Sequence, residues 1–239
     1  MAKYFSLEEK IKRDRSNYIN YLKNKKIRKL DEIEQQLNEL HKILWILKIL
    51  EIKFEGNNYY KDIFNNVISI IFLSITNDVK GIKIFNRNTI ENIFKISCIF
   101  FEKTDEINVD KKIGVLAKNI VDNSHEEIVK EKFSQLVNDY GELSNIIHSN
   151  NLHLKNISTI ANLNNFEKFY VKTNYIKSIQ VFYRDIKIFI EIYFIINYQM
   201  LSYNYFNEQE VNFFREFLSK ETLEYIDNKI FKNLKSNNK

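Results

Sequence analysis

Proline is absent from all 239 residues, and glycine occurs only at positions 56, 81, 114 and 141. The two strongest breakers of regular structure are therefore nearly missing, and long helices are the natural result. A single cysteine, Cys98, excludes an internal disulfide and fits a reducing compartment such as the cytoplasm. It sits in the apolar run Ile96-Ser97-Cys98-Ile99-Phe100-Phe101, where a buried small hydrophobe is expected in place of a nucleophile. No stretch supplies the roughly 20 apolar residues that a membrane-spanning helix needs; the nearest, 186–201, is interrupted by Lys187 and Glu191. Charges at Lys3, Glu8, Glu9 and Lys10 speak against a signal peptide. There is no Gly-rich phosphate loop, Walker motif or nucleophile elbow, which removes most ATPases, kinases and hydrolases. No His-Glu-x-x-His motif or cysteine pair is present, and His148 and His153, five apart, do not share a helical face. Neither a metal nor any other cofactor is expected.

What is present is a foldable, soluble composition, 44% hydrophobic and 28% charged, with enough chain for one substantial core. Isoleucine, lysine and asparagine are abundant, which reflects an AT-rich coding sequence and carries no functional weight. The net charge of +5 is uneven. Residues 1–29 hold ten Lys or Arg against Glu8, Glu9 and Asp14, a local +7 that leaves the rest of the chain at +5 minus +7, or −2. Basic residues interleaved with Tyr4, Phe5, Tyr18 and Tyr21 suit a phosphate backbone or an acidic partner, and equally a solvated helical face.

Ser6-Leu7-Glu8-Glu9 matches a capping box and predicts a helix start. Ile33, Leu37, Leu40, Leu44 and Leu47 are spaced as a helix–helix seam. Residues 7–54 then form one very long helix, or two joined near Arg28 to Asp31, with Asp31 as the second N-cap and the basic first part a hairpin or protruding arm. Gly56-Asn57-Asn58 makes a turn before a helix buried around much of its circumference, from Tyr60 and Ile63 through Ile68, Phe72 and Ile75. Gly81 is expected to close that helix. The next runs from about Asn86 to Lys103 with Ile90, Ile93, Phe94 and Ser97 inward. Residues 104–109 read as a loop and 110–121 as a short helix. Ser124-His125-Glu126-Glu127 opens a helix reaching about Ser149, and residues 150–172 form one long loop, with room for a short hairpin. A strongly apolar helix over 174–198 is expected at the centre. Asn207-Glu208-Gln209-Glu210 caps a helix ending near Leu218, and 221–234 makes the last. The expected fold is all-α, a bundle of about seven to nine helices. It divides into a basic arm (1–30), one bundle domain (31–235) and a frayed tail (236–239).

Polar groups able to do chemistry crowd into Tyr140 to His153. Tyr140, Ser144 and His148 repeat every four residues beside the inward face of Leu143, Ile146 and Ile147. Arg87 and Glu91 lie four apart on another core helix. Burying such groups alone costs on the order of several kcal/mol, so facing helices should join them in one hydrogen-bonded cluster. Such a cluster serves a pocket for a nucleotide, phosphate or RNA hydroxyl, or else a network that only fixes helix register. His41, beside the seam, and His125, at a helix start, need no more than surface or capping roles.

Arg87-x-x-x-Glu91, followed some fifty residues later by Tyr140-x-x-Leu143-Ser144-x-x-x-His148, resembles the HEPN superfamily of helical-bundle proteins. These occur in toxin–antitoxin, abortive-infection and CRISPR-linked systems, and many are metal-independent RNases that act as dimers. The resemblance covers roughly Arg87 to His148. The chain departs from the family's signature, an arginine four to six residues from a histidine, since none of its six arginines precedes a histidine at that spacing. The resemblance implies a protein of a bacterial or phage conflict system, a homodimer or bound to a partner protein, that binds RNA or a nucleotide and cleaves RNA. Arg87 would then neutralise phosphate and His148 act as acid or base, oriented by Glu91, Tyr140 and Ser144. Asn150 and Asn151 would line the mouth, and Lys23, Lys25, Lys26, Arg28 and Lys29 would hold the backbone. The alternative is a non-catalytic interaction module that uses the seam and the basic arm.

Overall fold

Ser6 and Glu9 close the first helical turn reciprocally: the Ser6 amide donates to Glu9 Oε2 at 2.8 Å and the Glu9 amide to Ser6 Oγ at 3.2 Å. The computed structural model describes residues 6–24, 30–76, 78–102, 127–148, 172–201 and 205–236. Within them lie eight α-helices and no strand. They are α1 (Leu7–Asn24), α2 (Leu30–Leu50), α3 (Asn58–Thr76), α4 (Val79–Glu102), α5 (Glu127–His148), α6 (Lys172–Ile196), α7 (Glu208–Phe217) and α8 (Lys220–Ser236), with 3-10 turns at Glu51–Phe54 and Tyr198–Leu201. The chain is all-α, and among the described residues no helix is long and apolar enough to cross a membrane. The short helix expected over 110–121, the box at Ser124 and almost all of the 150–172 loop lie outside the described residues.

The first fifty residues fold as two helices, not one. Asp14 meets His41 while Lys23 approaches Glu34, so α1 and α2 run antiparallel. Ile19 and Leu22 are buried, and the Leu7 amide donates to Gln209 Oε1 on α7 at 2.7 Å. α2 is described from Leu30, and the Asp31 side chain, expected as its N-cap, lies outside the described residues. The seam residues Ile33, Leu37, Leu40 and Leu47 are buried in one core, with Leu44 partly so.

Gly56 takes φ = 78°, the left-handed turn that favours glycine, and Asn57 Oδ1 then accepts from the Tyr60 amide to cap α3. α3 buries a narrower face than expected. Ile63, Val67, Ile70 and Ile71 point inward, whereas Ile68 and Phe72 stand 47% and 65% exposed. Apolar spacing fixes the direction of a face; its width depends on how many neighbours cover it. The chain turns at once into α4, and Gly81 belongs to the first turn of α4 instead of ending α3. Asp78 is the reason, since its Oδ1 accepts from the Gly81 amide at 2.8 Å. A Cβ at Gly81 would lie 2.7 Å from Asp78 Oδ2 and 3.0 Å from Leu73 Cδ1. Gly81→Ala should push that cap away and lower stability by about 1–2 kcal/mol in chemical denaturation. An unchanged midpoint would mean that Asp78 does not cap α4.

α6 is the central element and touches α2, α4, α5 and α8. Phe182, Ile186, Ile190 and Phe194 are buried along it, and Phe54 stacks on Tyr60 and packs against Phe189 and Tyr193. Ile90, Ile93, Phe94, Ser97 and Cys98 of α4 face inward as predicted. Buried tyrosines cover two helix ends: Tyr60 Oη donates to the Leu47 carbonyl at 2.5 Å, and Tyr175 Oη to the Ser74 carbonyl. The Asn207 capping box is complete, with bonds of 3.0 and 3.1 Å to and from Glu210. α8 continues through Lys235 and Ser236, past the expected end at 234.

Candidate functional site

α4 and α5 are antiparallel, with Phe94 against Phe133 at one level and Arg87 against Ser144 at another. Helical spacing puts Arg87, Glu91 and Lys95 on one stripe of α4, and Tyr140 and Ser144 one turn apart on α5. The facing stripes meet. Arg87 Nε donates to Ser144 Oγ at 3.0 Å, and Nη2 donates to Tyr140 Oη at 2.8 Å. The guanidinium also lies 5.0 Å from the Tyr140 ring centre, within cation–π range. Its Nη1 stands 3.8 Å from Glu91 Oε2, and Lys95 Nζ approaches Glu91 Oε1 at 3.0 Å. Tyr140 is braced edge-on by Phe94. Four of the five residues expected to meet therefore do so. The Arg87 side chain remains 28% exposed and that of Glu91 19%, so a ligand can reach both.

His148 is the last residue of α5, and its side chain lies outside the described residues. Asn150, Asn151, Lys25, Lys26, Arg28 and Lys29 lie there too, as do His125 and His153. Lys23 is described: it is half exposed near the end of α1 and 3.8 Å from Glu34 Oε2, which offsets part of its charge.

On a second face of α4 the structure adds groups that sequence reasoning missed. A cavity of about 250 Å³ opens between α4, α5 and α6, lined by Lys83, Asn86, Asp139, Glu142, Lys177 and Ser178 among others. Asn86 Nδ2 donates to Asp185 Oδ2 at 2.8 Å, and Arg184 Nη2 to Asp139 Oδ2 at 2.5 Å. Asp185 is completely buried. Burial, and next a hydrogen bond with Asp139, push its carboxyl up to about 8, against the smaller opposing pulls of Asn86 and Arg184. Asp185 Oδ1 has no hydrogen-bond partner, and Arg184 Nε stands 3.6 Å from it.

A second omission is His41. Expected to need only a surface or capping role, it is buried, and its Nε2 lies 2.8 Å from Asp14 Oδ2, an oxygen that also accepts from Trp45 Nε1 at 3.1 Å. Tyr18 stacks on the imidazole. The position four residues after Leu37 was the available signal for an inward histidine, but Asp14, 27 residues earlier, had none. Among the described residues, no three His, Cys, Asp or Glu side chains converge as a metal site.

No protein-family model, curated protein or solved structure matches the chain.

Proposed function

We propose that this is a HEPN-like protein of a bacterial or phage conflict system, which binds RNA or a nucleotide on its α4–α5 face and cleaves RNA without a metal. One observation carries the reading: Arg87 is held in a fixed direction by Tyr140 and Ser144, yet remains open enough to receive a phosphate. A guanidinium immobilised in this way loses less entropy on meeting an anion and offers donors in a planar fork. Acid–base chemistry would fall to His148, one turn beyond Ser144 on the same helix, with Arg87 supplying charge from the neighbouring helix. Lys83 and Lys177 at the adjoining cavity add positive potential. The proposal includes a cytoplasmic setting, in keeping with the lone buried Cys98, and action as a homodimer or with a partner protein.

His148→Ala should lower cleavage of total RNA by about 10²–10⁴-fold while leaving Tm unchanged. Arg87→Gln should reduce the RNA carried through purification, scored by absorbance ratio and sequencing. Clean, inert wild-type protein would sink the reading.

A second reading is a non-catalytic interaction module, favoured by the way Arg87 already divides its donors among Ser144, Tyr140 and Glu91. Such a network suffices to lock α4 against α5. In that case Tyr140→Phe and Ser144→Ala lower stability, and no nucleic acid is bound or cut by any variant.

A further inference from the structure

A larger cavity lies elsewhere, between α1, α2 and α7, and shares no residue with the Arg87 cluster. Its volume is about 440 Å³, within the range of small-molecule sites. Three cations line it: Lys12, Arg15 and Lys42. Lys12 is matched by Glu8 at 2.5 Å, but among the described residues Arg15 has no ion pair. Lys42 is half-buried over the Phe213 ring, with its Nζ 5.6 Å from the centroid. Its surroundings are unfavourable to its charge: burial first, and also the nearby Lys187, hold its ammonium below the usual lysine value, against the partial help of Glu216. An anion placed beside Arg15 and Lys42 would relieve that deficit.

The same cavity offers acceptors. Asn38 lines it and carries a buried Oδ1 with no hydrogen-bond partner. His41 lines it as well, with the Asp14 carboxylate on Nε2. A carboxylate oxygen only accepts, so Nε2 carries a hydrogen, and in that tautomer Nδ1 is the ring's acceptor. Leu7, Ile11 and Phe213 supply an apolar wall. A ligand suited to this wall would carry anionic oxygens at one end and hydroxyl or amino donors at the other.

We propose that the cavity between α1, α2 and α7 binds a small organic anion, a carboxylate or phosphate ester bearing hydroxyl or amino groups. Its anionic oxygens meet Arg15 and Lys42, and its donors meet Asn38 Oδ1 and His41. Asp14 and Trp45 act as positioning residues that hold the imidazole. The site is independent of the proposed RNA face, and the two fail separately.

The test uses the full chain at neutral pH and low salt, with inorganic phosphate, glycerol 2-phosphate and citrate as probes in calorimetry and thermal unfolding. The expected result is saturable binding of at least one organic probe, tighter than that of inorganic phosphate. Arg15→Gln and Lys42→Met should each weaken it by roughly tenfold or more, while Arg87→Gln leaves it unchanged. Arg15 is exposed, so its variant folds even if Lys42→Met does not. Binding should also shift the ¹⁵N resonances of the His41 ring. Absence of saturable binding by all three probes, or binding indifferent to Arg15→Gln, would overturn the proposal.

Discussion

Replacing Asp185 with asparagine is expected to raise Tm in alkaline buffer and to flatten its decline with pH. The buried carboxyl faces Asn86 from α4, Asp139 from α5 and Arg184 beside it on α6. Burial and the Asp139 carboxyl raise its proton affinity from the ordinary 3.8 to about 8. A raised acid contributes stability in its protonated form. The unfolded chain releases the proton near 3.8 and the folded chain only near 8, so stability falls as pH climbs through that window. The new amide keeps both contacts, its oxygen accepting from Asn86 and its NH₂ donating to Asp139, and has no proton to lose. At a pH of about 9 the variant should be more stable by on the order of 3 kcal/mol, or roughly 5–10 °C in Tm. Below the ordinary carboxyl value of 3.8 the two proteins should melt together. A variant that melts below wild type at both ends would show that the carboxyl is charged in the folded protein.

Glu191→Ala should be the most damaging single change on α6. The Glu191 carboxylate is buried and takes Lys132 Nζ at 2.5 Å and the Ser219 amide at 2.7 Å, so it ties α5, α6 and the start of α8 together. Burial alone would raise its proton affinity, but the Lys132 ammonium and the Ser219 donors overcome that and hold it below the usual 4.5. Removing it leaves a nearly buried ammonium and an unpaired amide, a loss of about 3–5 kcal/mol. In urea the midpoint should drop with an unchanged slope, and Glu191→Gln should recover part of the loss through the Ser219 bond. The sign with pH is opposite to that of Asp185. A depressed acid contributes stability above its unfolded value and loses it as pH falls through the folded one. The two carboxyls, six residues apart on one helix, therefore pull stability in opposite directions as pH changes.

Much of the architecture was legible because helix starts are local chemistry. The boxes at Ser6 and Asn207 need only four residues, and both are formed. Arg87, Glu91, Tyr140 and Ser144 could be grouped because spacings of four on two inward helices leave few other ways to satisfy them. Gly81 misled because a glycine resembles a stop, while the informative residue was Asp78 just before it. Ile68 and Phe72 misled because periodicity does not reveal how much of a helix its neighbours cover. The Asp14–His41 pair and the bonds of Asn86 to Asp185 and of Arg184 to Asp139 were out of reach for one reason. Each joins residues on different helices, and only packing decides which positions come opposite one another.

Tyr60 and Tyr175 carry a consequence for how this sequence can vary. Their hydroxyls occupy carbonyls in the last turns of α2 and α3, so those ends depend on rings anchored in the core and not only on the residues that follow. Helix length here is measured from a distance. A chain with almost no glycine and no proline thus holds helix ends from the core as well as through the few turn residues it has, such as Gly56 and Asp78.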